Sequence, residues 1–311
     1  MKDKLKNLRI DFLLYLKNER AYSDHTIKSY ENDLNYFIEF CLSFYTKKKI
    51  DVNQIDTKTL SFFKGAEIEK GLSPNTINRR MASLKSFFKY LYNFEIIKDN
   101  PAQYISSLKV EKKLPDFIPE NKIVELMNAP LNKEKGLIIT NEIEGQRDKA
   151  ILELFYSTGL RLSELISINI CDIDSEKEMV KVMGKGGKER IVPIGKVALY
   201  SIESYLKKIG KSTRGNFVDP LFVNKKGNRL PKRTLQRRIT KYLNAIMEGT
   251  SVHTLRHTFA SHLINEGADV LTIKELLGHS SLSSTGIYTK LETETVKKVY
   301  QKKHPHGEKN E

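Results

Sequence analysis

The chain has 311 residues, 39% hydrophobic and 29% charged, with 53 Lys and Arg against 38 Asp and Glu, a net charge of +15. That length suits about two domains of roughly 150 residues each, and an isoelectric point near 9.5 points to a polyanion, either nucleic acid or an anionic membrane surface. No run approaches the roughly 18 apolar residues of a membrane-spanning helix. The opening MKDKLKNLRIDFLLYLKNER is broken by charges throughout, unlike a signal peptide, and Cys41 and Cys171 are isolated, which fits a reducing cytoplasm rather than a disulfide framework or a Cys-rich metal site.

In chain order, Leu5, Leu8, Phe12 and Leu16 recur at helical spacing. Ser23 is placed to cap a second helix with Ile27, Tyr30, Leu34, Phe37 and Ile38 on one face. A third helix is predicted over Thr57 to Lys70, stopping at Gly71. Ser73-Pro74 opens a fourth, with Ile77, Met81, Leu84, Phe87, Phe88 and Leu91 on its apolar face. The stretch KVEKKLPDFIPE, Lys109 to Glu120, carries two prolines and few periodic apolar positions, so it reads as a linker. The boundaries are therefore 1–108 for a helical N-terminal domain, 109–120 for the linker, 121–303 for a second domain and 304–311 for a disordered tail. Charge is +6 on residues 1–110 and +9 on the rest, so both domains are basic, as in a protein that grips a polyanion from two sides.

In the second domain, helices are predicted over Arg147 to Ser157, Val197 to Lys208, Lys232 to Met247, His253 to Glu266 and Val270 to Leu277. Met179 to Met183 and Glu189 to Ile194 read as strands around the loop GKGGK. That loop is no phosphate-binding P-loop, because no Ser or Thr follows Lys188 and a strand stands where a helix is required. Tyr205 to Lys241 holds twelve Lys and Arg against the single acid Asp219, too lopsided for an ordinary solvated face. RTLQRR, with Arg233, Arg237 and Arg238, is predicted to lie on a helix against phosphates. Arg161 and Glu164 in TGLRLSEL are three apart and share a helix side; by themselves they read as an ion pair. In HTLRHTFASH, His253 and His257 stand at metal-pair spacing. No Glu follows His253, however, and His262 lies about 140° around the helix from His257 at 100° per residue. His253 with Arg256 better suits an oxyanion such as a phosphate.

The ordered set Arg161, Lys185, His253-x-x-Arg256, His279 and Tyr288, in TGLRLSEL, GKGGKERIVP, HTLRHTFASHL and LGHSSLSSTGIYTKL, closely resembles the tyrosine recombinases, the phage integrase family. The resemblance covers essentially the whole chain, with YSDHTIKSYENDL and LSPNTINRRMASLKSFFKYL similar to that family's core-binding domain. The single short N-terminal domain and the ending VKKVYQKKHP look most like the Xer branch, which resolves chromosome dimers; Lys290 departs from it, standing where many of that branch carry His.

The resemblance implies a mainly α, two-domain fold. A four-helix, SAM-like core-binding domain and a helical catalytic domain with a small antiparallel β-sheet would form a C-shaped clamp around DNA. It implies Tyr288 as nucleophile, forming a 3′-phosphotyrosyl link, with Arg161, Lys185, His253, Arg256 and His279 completing the catalytic set and Glu164 supporting it. Arg79, Arg80, Arg233, Arg237 and Arg238 are the expected DNA contacts. No metal and no cofactor is implied. Implied partners are a double-stranded recombination site, a homo- or hetero-tetramer with a second recombinase, and a septal DNA translocase, in the cytoplasm without membrane insertion. A short tail helix carrying Val296, Val299 and Tyr300 would dock on a neighbouring subunit. The alternatives are the integrase of a phage or mobile element, whose usual extra arm-binding domain has no room here, a type IB topoisomerase, and an inactive DNA-binding relative.

Overall fold

Serine caps start two of the four helices that build the N-terminal unit. In the computed structural model of the chain, which describes residues 4–46, 50–110, 117–132, 141–184, 187, 189–214 and 218–277, the Oγ atoms of Ser23 and Ser73 accept the N–H groups of Thr26 and Thr76. Each satisfies a donor that a helix start leaves without an intrahelical acceptor. The helices are α1 (Lys4–Asn18), α2 (Asp24–Phe44), α3 (Thr57–Glu69) and α4 (Pro74–Asn93). Their predicted apolar stripes meet in one core in which Phe12 packs edge-on against Phe87 at 5.4 Å and Phe37 against Phe63 at 5.2 Å.

Two carboxylates lie inside this unit, Asp33 and Glu67, both fully buried. They decide where two of the expected DNA contacts point. Arg80 is buried, pairs with Glu67 and lies 3.8 Å over the Tyr36 ring. Arg80, an expected DNA contact, is in the structure turned to Glu67, whose carboxylate also meets Lys70 Nζ at 3.0 Å, and a buried carboxylate is strongly destabilising without cations beside it. Arg79 is half exposed; its Nη1 donates to Asp33 Oδ2 at 2.5 Å and to Ser29 Oγ at 2.9 Å.

The chain divides into two compact units, Met1–Lys112 and Lys113–Glu311. The second contains α5 (Glu120–Asn128), α6 (Glu142–Thr158), α7 (Leu162–Ser167), β1 (Ile173–Asp174), β2 (Met179–Met183), β3 (Glu189–Pro193), α8 (Lys196–Lys208), α9 (Lys232–Ile246), α10 (Val252–Asn265) and α11 (Val270–Leu277). Helix α5 stands directly after the stretch read as linker; Pro119 precedes it, and Ile123, Leu126 and Met127 bury one face. Helix α6 begins five residues before its predicted start, where Asn141 Oδ1 accepts the Glu144 N–H at 2.8 Å. It is buried on every side from Ala150 to Thr158, while the turns ahead of Arg147, EIEGQ, carry charges and Gly145 in place of a periodic apolar face, so the start is not marked in the sequence.

The sheet runs β1-β2-β3, all antiparallel, with Val180 opposite Val192 and Val182 opposite Arg190. Val180, Val182 and Val192 face the core while Lys181 and Ile191 face out, the period of two that a half-buried strand requires. Beside α6, the buried Asp148 accepts hydrogen bonds from Arg147, from Arg238 Nε at 2.5 Å and from Tyr242 Oη at 2.8 Å. Ile118 enters the unit by donating its N–H to Thr258 Oγ1 on α10 at 2.9 Å. Among the described residues no helix is long and apolar enough to cross a membrane.

Candidate active site and nucleic-acid interface

The end of α6 and the start of α7 build the centre of the site. Gly159 closes α6 at φ +57 and ψ 24, and its N–H bonds the Phe155 carbonyl at 2.9 Å. Two residues on, Arg161 caps α7, and Glu164 reaches back from the first turn to accept the Arg161 backbone N–H at 2.8 Å on Oε2. Glu164 Oε1 also accepts Arg161 Nη1 at 3.0 Å. Glu164 thus bonds Arg161 through both backbone and side chain, and the carboxylate's further partner is Arg190 on β3. Arg190 Nη1 and Nη2 meet Oε1 and Oε2 at 2.9 Å each. Burial by itself would raise the Glu164 carboxyl. The hydrogen bonds from Arg190 and from the Arg161 backbone, with the Arg190 charge, outweigh it and hold the group below the ordinary carboxylate range.

Arg256 arrives from the first turns of α10. Its Nη1 donates to the Gly159 carbonyl and its Nη2 to the Leu277 carbonyl at 2.6 Å, so the ends of α6 and α11 fix the guanidinium. Burial, followed by the charges of Arg161 and Arg190, pulls Arg256 down to about 10, and Glu164 pulls the other way. Arg161 and Arg190 thus share the Glu164 carboxylate, and Arg256 stands close enough to feel all three charges, a partly buried, cation-rich place suited to an anion. His253 lies one turn before Arg256 on α10 and is exposed, as is His257. His262 is buried, with Nδ1 2.8 Å from Tyr156 Oη, so it belongs to the packing of α10 on α6. Lys185, His279, Tyr288 and the tail helix fall outside the described residues.

Sequence reasoning passed over Arg190. The signal lay in the alternation of ERIVP, which puts Arg190 on the same inward face as Val192. On the basic helix α9 the expected DNA contacts divide between two faces. Lys232, Arg233, Arg237 and Lys241 are exposed on its outer side, but Arg238 turns inward to Asp148, with Glu144 at 3.7 Å. The buried carboxylate holds Arg238 away from solvent. Arg237→Ala is expected to flatten the plot of log K against log salt by about one unit, the slope being near −0.9 per phosphate neutralised, with melting unchanged. Arg238→Ala should instead lower the melting temperature and leave the slope alone. Salt titrations by gel shift and thermal melts of both variants check this.

Comparisons with known proteins agree with this architecture. Residues 10–94 match the phage integrase N-terminal SAM-like domain, and residues 116–295 match the phage integrase family. Tyrosine recombinase XerC of Thermodesulfovibrio yellowstonii is 40% identical over 307 residues, covering 97% of both chains. Tyrosine recombinase XerD of Oceanobacillus iheyensis is 35% identical over 300 residues, covering 95% of this chain and 97% of the relative. Among solved structures, a lambda integrase tetramer bound to a Holliday junction matches with TM-score 0.68 at 15% identity, covering 91% of this chain and 80% of that one. XerH recombinase bound to difH substrate matches with TM-score 0.61 at 21% identity, over 96% and 82%; both likenesses speak for the fold. The chain belongs to the phage integrase family, the tyrosine recombinases. Its activity is site-specific recombination of DNA.

Proposed function

We infer that this recombinase cuts and rejoins DNA through a 3′-phosphotyrosyl intermediate on Tyr288, without metal or cofactor, in the resolution of chromosome dimers. The observation that carries the reading is Arg161 bonded to the buried carboxylate of Glu164, with the Arg256 guanidinium fixed by the Gly159 and Leu277 carbonyls within reach of both charges. The Tyr288 oxygen attacks phosphorus and displaces the 5′-oxygen of the next nucleotide, which Lys185 protonates as it leaves. The 5′-hydroxyl of a partner strand then attacks the phosphotyrosyl bond and releases the tyrosine, so ligation needs no nucleotide. Arg161 and Arg256 hold the non-bridging oxygens as charge builds, supplying what a Lewis acid supplies in metal-dependent nucleases. His253 handles the tyrosine proton, since an imidazole can both accept and donate one, and His279 donates to a non-bridging oxygen.

Residues 1–108 serve as the core-binding domain and 121–303 as the catalytic one, joined by the linker 109–120. The outer face of α9, through Arg233 and Arg237, contacts the DNA backbone in this reading. The solved relatives bound to DNA as dimers and tetramers support assembly with further recombinase subunits. A septal DNA translocase is the further cytoplasmic partner that dimer resolution implies. The test is a nicked suicide substrate that traps the covalent step. Tyr288→Phe is expected to bind DNA as the wild type does and to form no protein–DNA adduct on denaturing gels. An adduct of undiminished yield in the variant would overturn the assignment.

A further inference from the structure

Helix α7, Leu162–Ser167, is six residues long, with Arg161 as its N-cap. A helix that short does not hold itself together in water, so its place is set by what grips it. Its first turn is held by Arg190, through Glu164. Its last turn is held by Arg229, 63 residues beyond Ile166. Arg229 Nη1 donates to the Ile166 carbonyl at 2.5 Å and to the Ile168 carbonyl at 3.0 Å, and Nη2 donates to Asn169 Oδ1 at 2.5 Å. The last carbonyls of a helix have no intrahelical donor, and a cation there also meets the negative end of the helix dipole. The Arg229 backbone is itself fixed. It pairs with Val223 in an antiparallel bridge, and the next residue, Leu230, donates its N–H to the Phe222 carbonyl at 3.0 Å, with both of those side chains buried. Two residues after Arg229, Pro231 caps α9.

We propose that Arg229 is a positioning residue for strand cleavage: by clamping the C-terminal end of α7 to the segment that leads into α9, it fixes where α7 places Arg161. This rests on the reading of Arg161 as a phosphate clamp. Asn169 and Pro220 form an isolated bridge and the Leu221 N–H donates to the Ile168 carbonyl at 3.0 Å, so the chain after α7 is already tied to that segment. Arg229 carries the tie into the helix, to Ile166. At 1.5 Å per residue, Arg161 stands about 9 Å along the axis from the clamped end, so a tilt or slide of α7 reaches it nearly undiminished. In a variant at Arg229 the buried Leu165 and the Glu164–Arg190 pair still hold α7 in the fold. What loosens is the far end of the helix, and the effect is therefore on geometry at the site more than on folding. Helix α9 carries the exposed Arg233 and Arg237 read as backbone contacts, so the clamp sets Arg161 and those contacts on one frame. A lysine keeps the charge, but one nitrogen cannot span the two carbonyls and the Asn169 amide as the fork does.

The experiment compares R229K and R229Q with the full-length wild type, well below the melting temperature of each. It reads the first-order rate constant and the amplitude of adduct formation on a nicked suicide substrate at saturating protein, and the Kd for a one-site duplex. Both variants are expected to form adduct about 10- to 100-fold more slowly, the scale of a roughly 1 Å misplacement at a reacting centre. Amplitude and Kd should stay within a few-fold of wild type. A purely structural role reads differently: inactive molecules lower the amplitude and leave the rate constant of the remaining ones unchanged. R229K keeps the charge without the fork, so a wild-type rate constant in R229K overturns the proposal. A loss that lies wholly in the amplitude, or wholly in Kd, overturns it as well. Y288F run alongside separates the two levels: an adduct that persists in Y288F defeats the underlying reading. A Tyr288-dependent adduct formed by R229K at full rate defeats only the role of Arg229.

Discussion

Arg256→Lys is expected to slow strand cleavage about 10²- to 10³-fold, the loss that follows removal of one preorganised donor to a developing oxyanion. The side chain does two jobs that need a fork. It donates to the carbonyls of Gly159 and Leu277, which fixes its place, and it keeps donors for a phosphate. An ammonium group offers three donors from one point and cannot bridge the same two carbonyls while reaching outward. The charge itself is also at risk. Burial and the neighbouring Arg161 and Arg190 already pull Arg256 down to about 10, and a lysine starts about two units lower than an arginine. In this place burial and the neighbouring cations pull it down further. The sign follows: a cation whose folded pKa is lowered is protonated only below that value. Residual cleavage by Arg256→Lys should therefore rise as pH falls from about 8 to 6, a dependence the arginine does not impose on the wild type in that window. Single-turnover cleavage on a suicide substrate across this range measures both effects. DNA affinity should stay within a few-fold, because the exposed cations of α9 remain. A rate within a few-fold of wild type, flat with pH, would show that charge alone suffices.

What was legible in the sequence followed from how local each signal is. Helices α2 and α4 carry their caps, Ser23 and Ser73, and their stripes within one window. Arg161 with Glu164, and His253 with Arg256, are each three residues apart, so helical geometry alone puts them side by side. Helix α6 hid its first turns because EIEGQ, Glu142 to Gln146, carries charges and Gly145 in place of a periodic apolar face. The ion pairs of the arginines were hidden for another reason. Counting twelve cations between Tyr205 and Lys241 says nothing of which will be claimed by a distant carboxylate. Asp148 claims Arg238 from 90 residues away and Glu67 claims Arg80 from 13. Arg190 escaped notice for the same reason, since its partner Glu164 lies 26 residues back and on another element. Long-range ion pairing inside the protein competes with DNA for the same side chains, and composition sees only the sum.

Gly159→Ala is expected to destabilise the second unit by about 2–5 kcal/mol and to cost cleavage besides. Two separable strains arise. At φ +57 an L side chain sits in the left-handed region, about 1–2 kcal/mol less favourable than for glycine. A Cβ there would stand 2.7 Å from Cε1 of Phe259, closer still to Cδ1, and 3.0 Å from Cδ2 of Leu277. Overpacking of that kind costs about 1–3 kcal/mol. For a unit of this size the sum corresponds to a fall in melting temperature of about 4–20 °C. The kinetic effect follows from what surrounds the glycine. Its carbonyl holds Arg256, Phe259 lies three residues beyond Arg256 on α10, and Leu277 offers the other carbonyl that Arg256 grips. Any shift that relieves the clash moves the clamp. Adding Phe259→Leu to Gly159→Ala removes the ring edge and should recover the packing part of the stability while leaving the backbone part. Thermal melts and cleavage rates of the single and double variants measure the division. Wild-type melting in Gly159→Ala would mean that Phe259 and Leu277 yield freely, and that the close approach of α6 to α10 does not hold Arg256 in place.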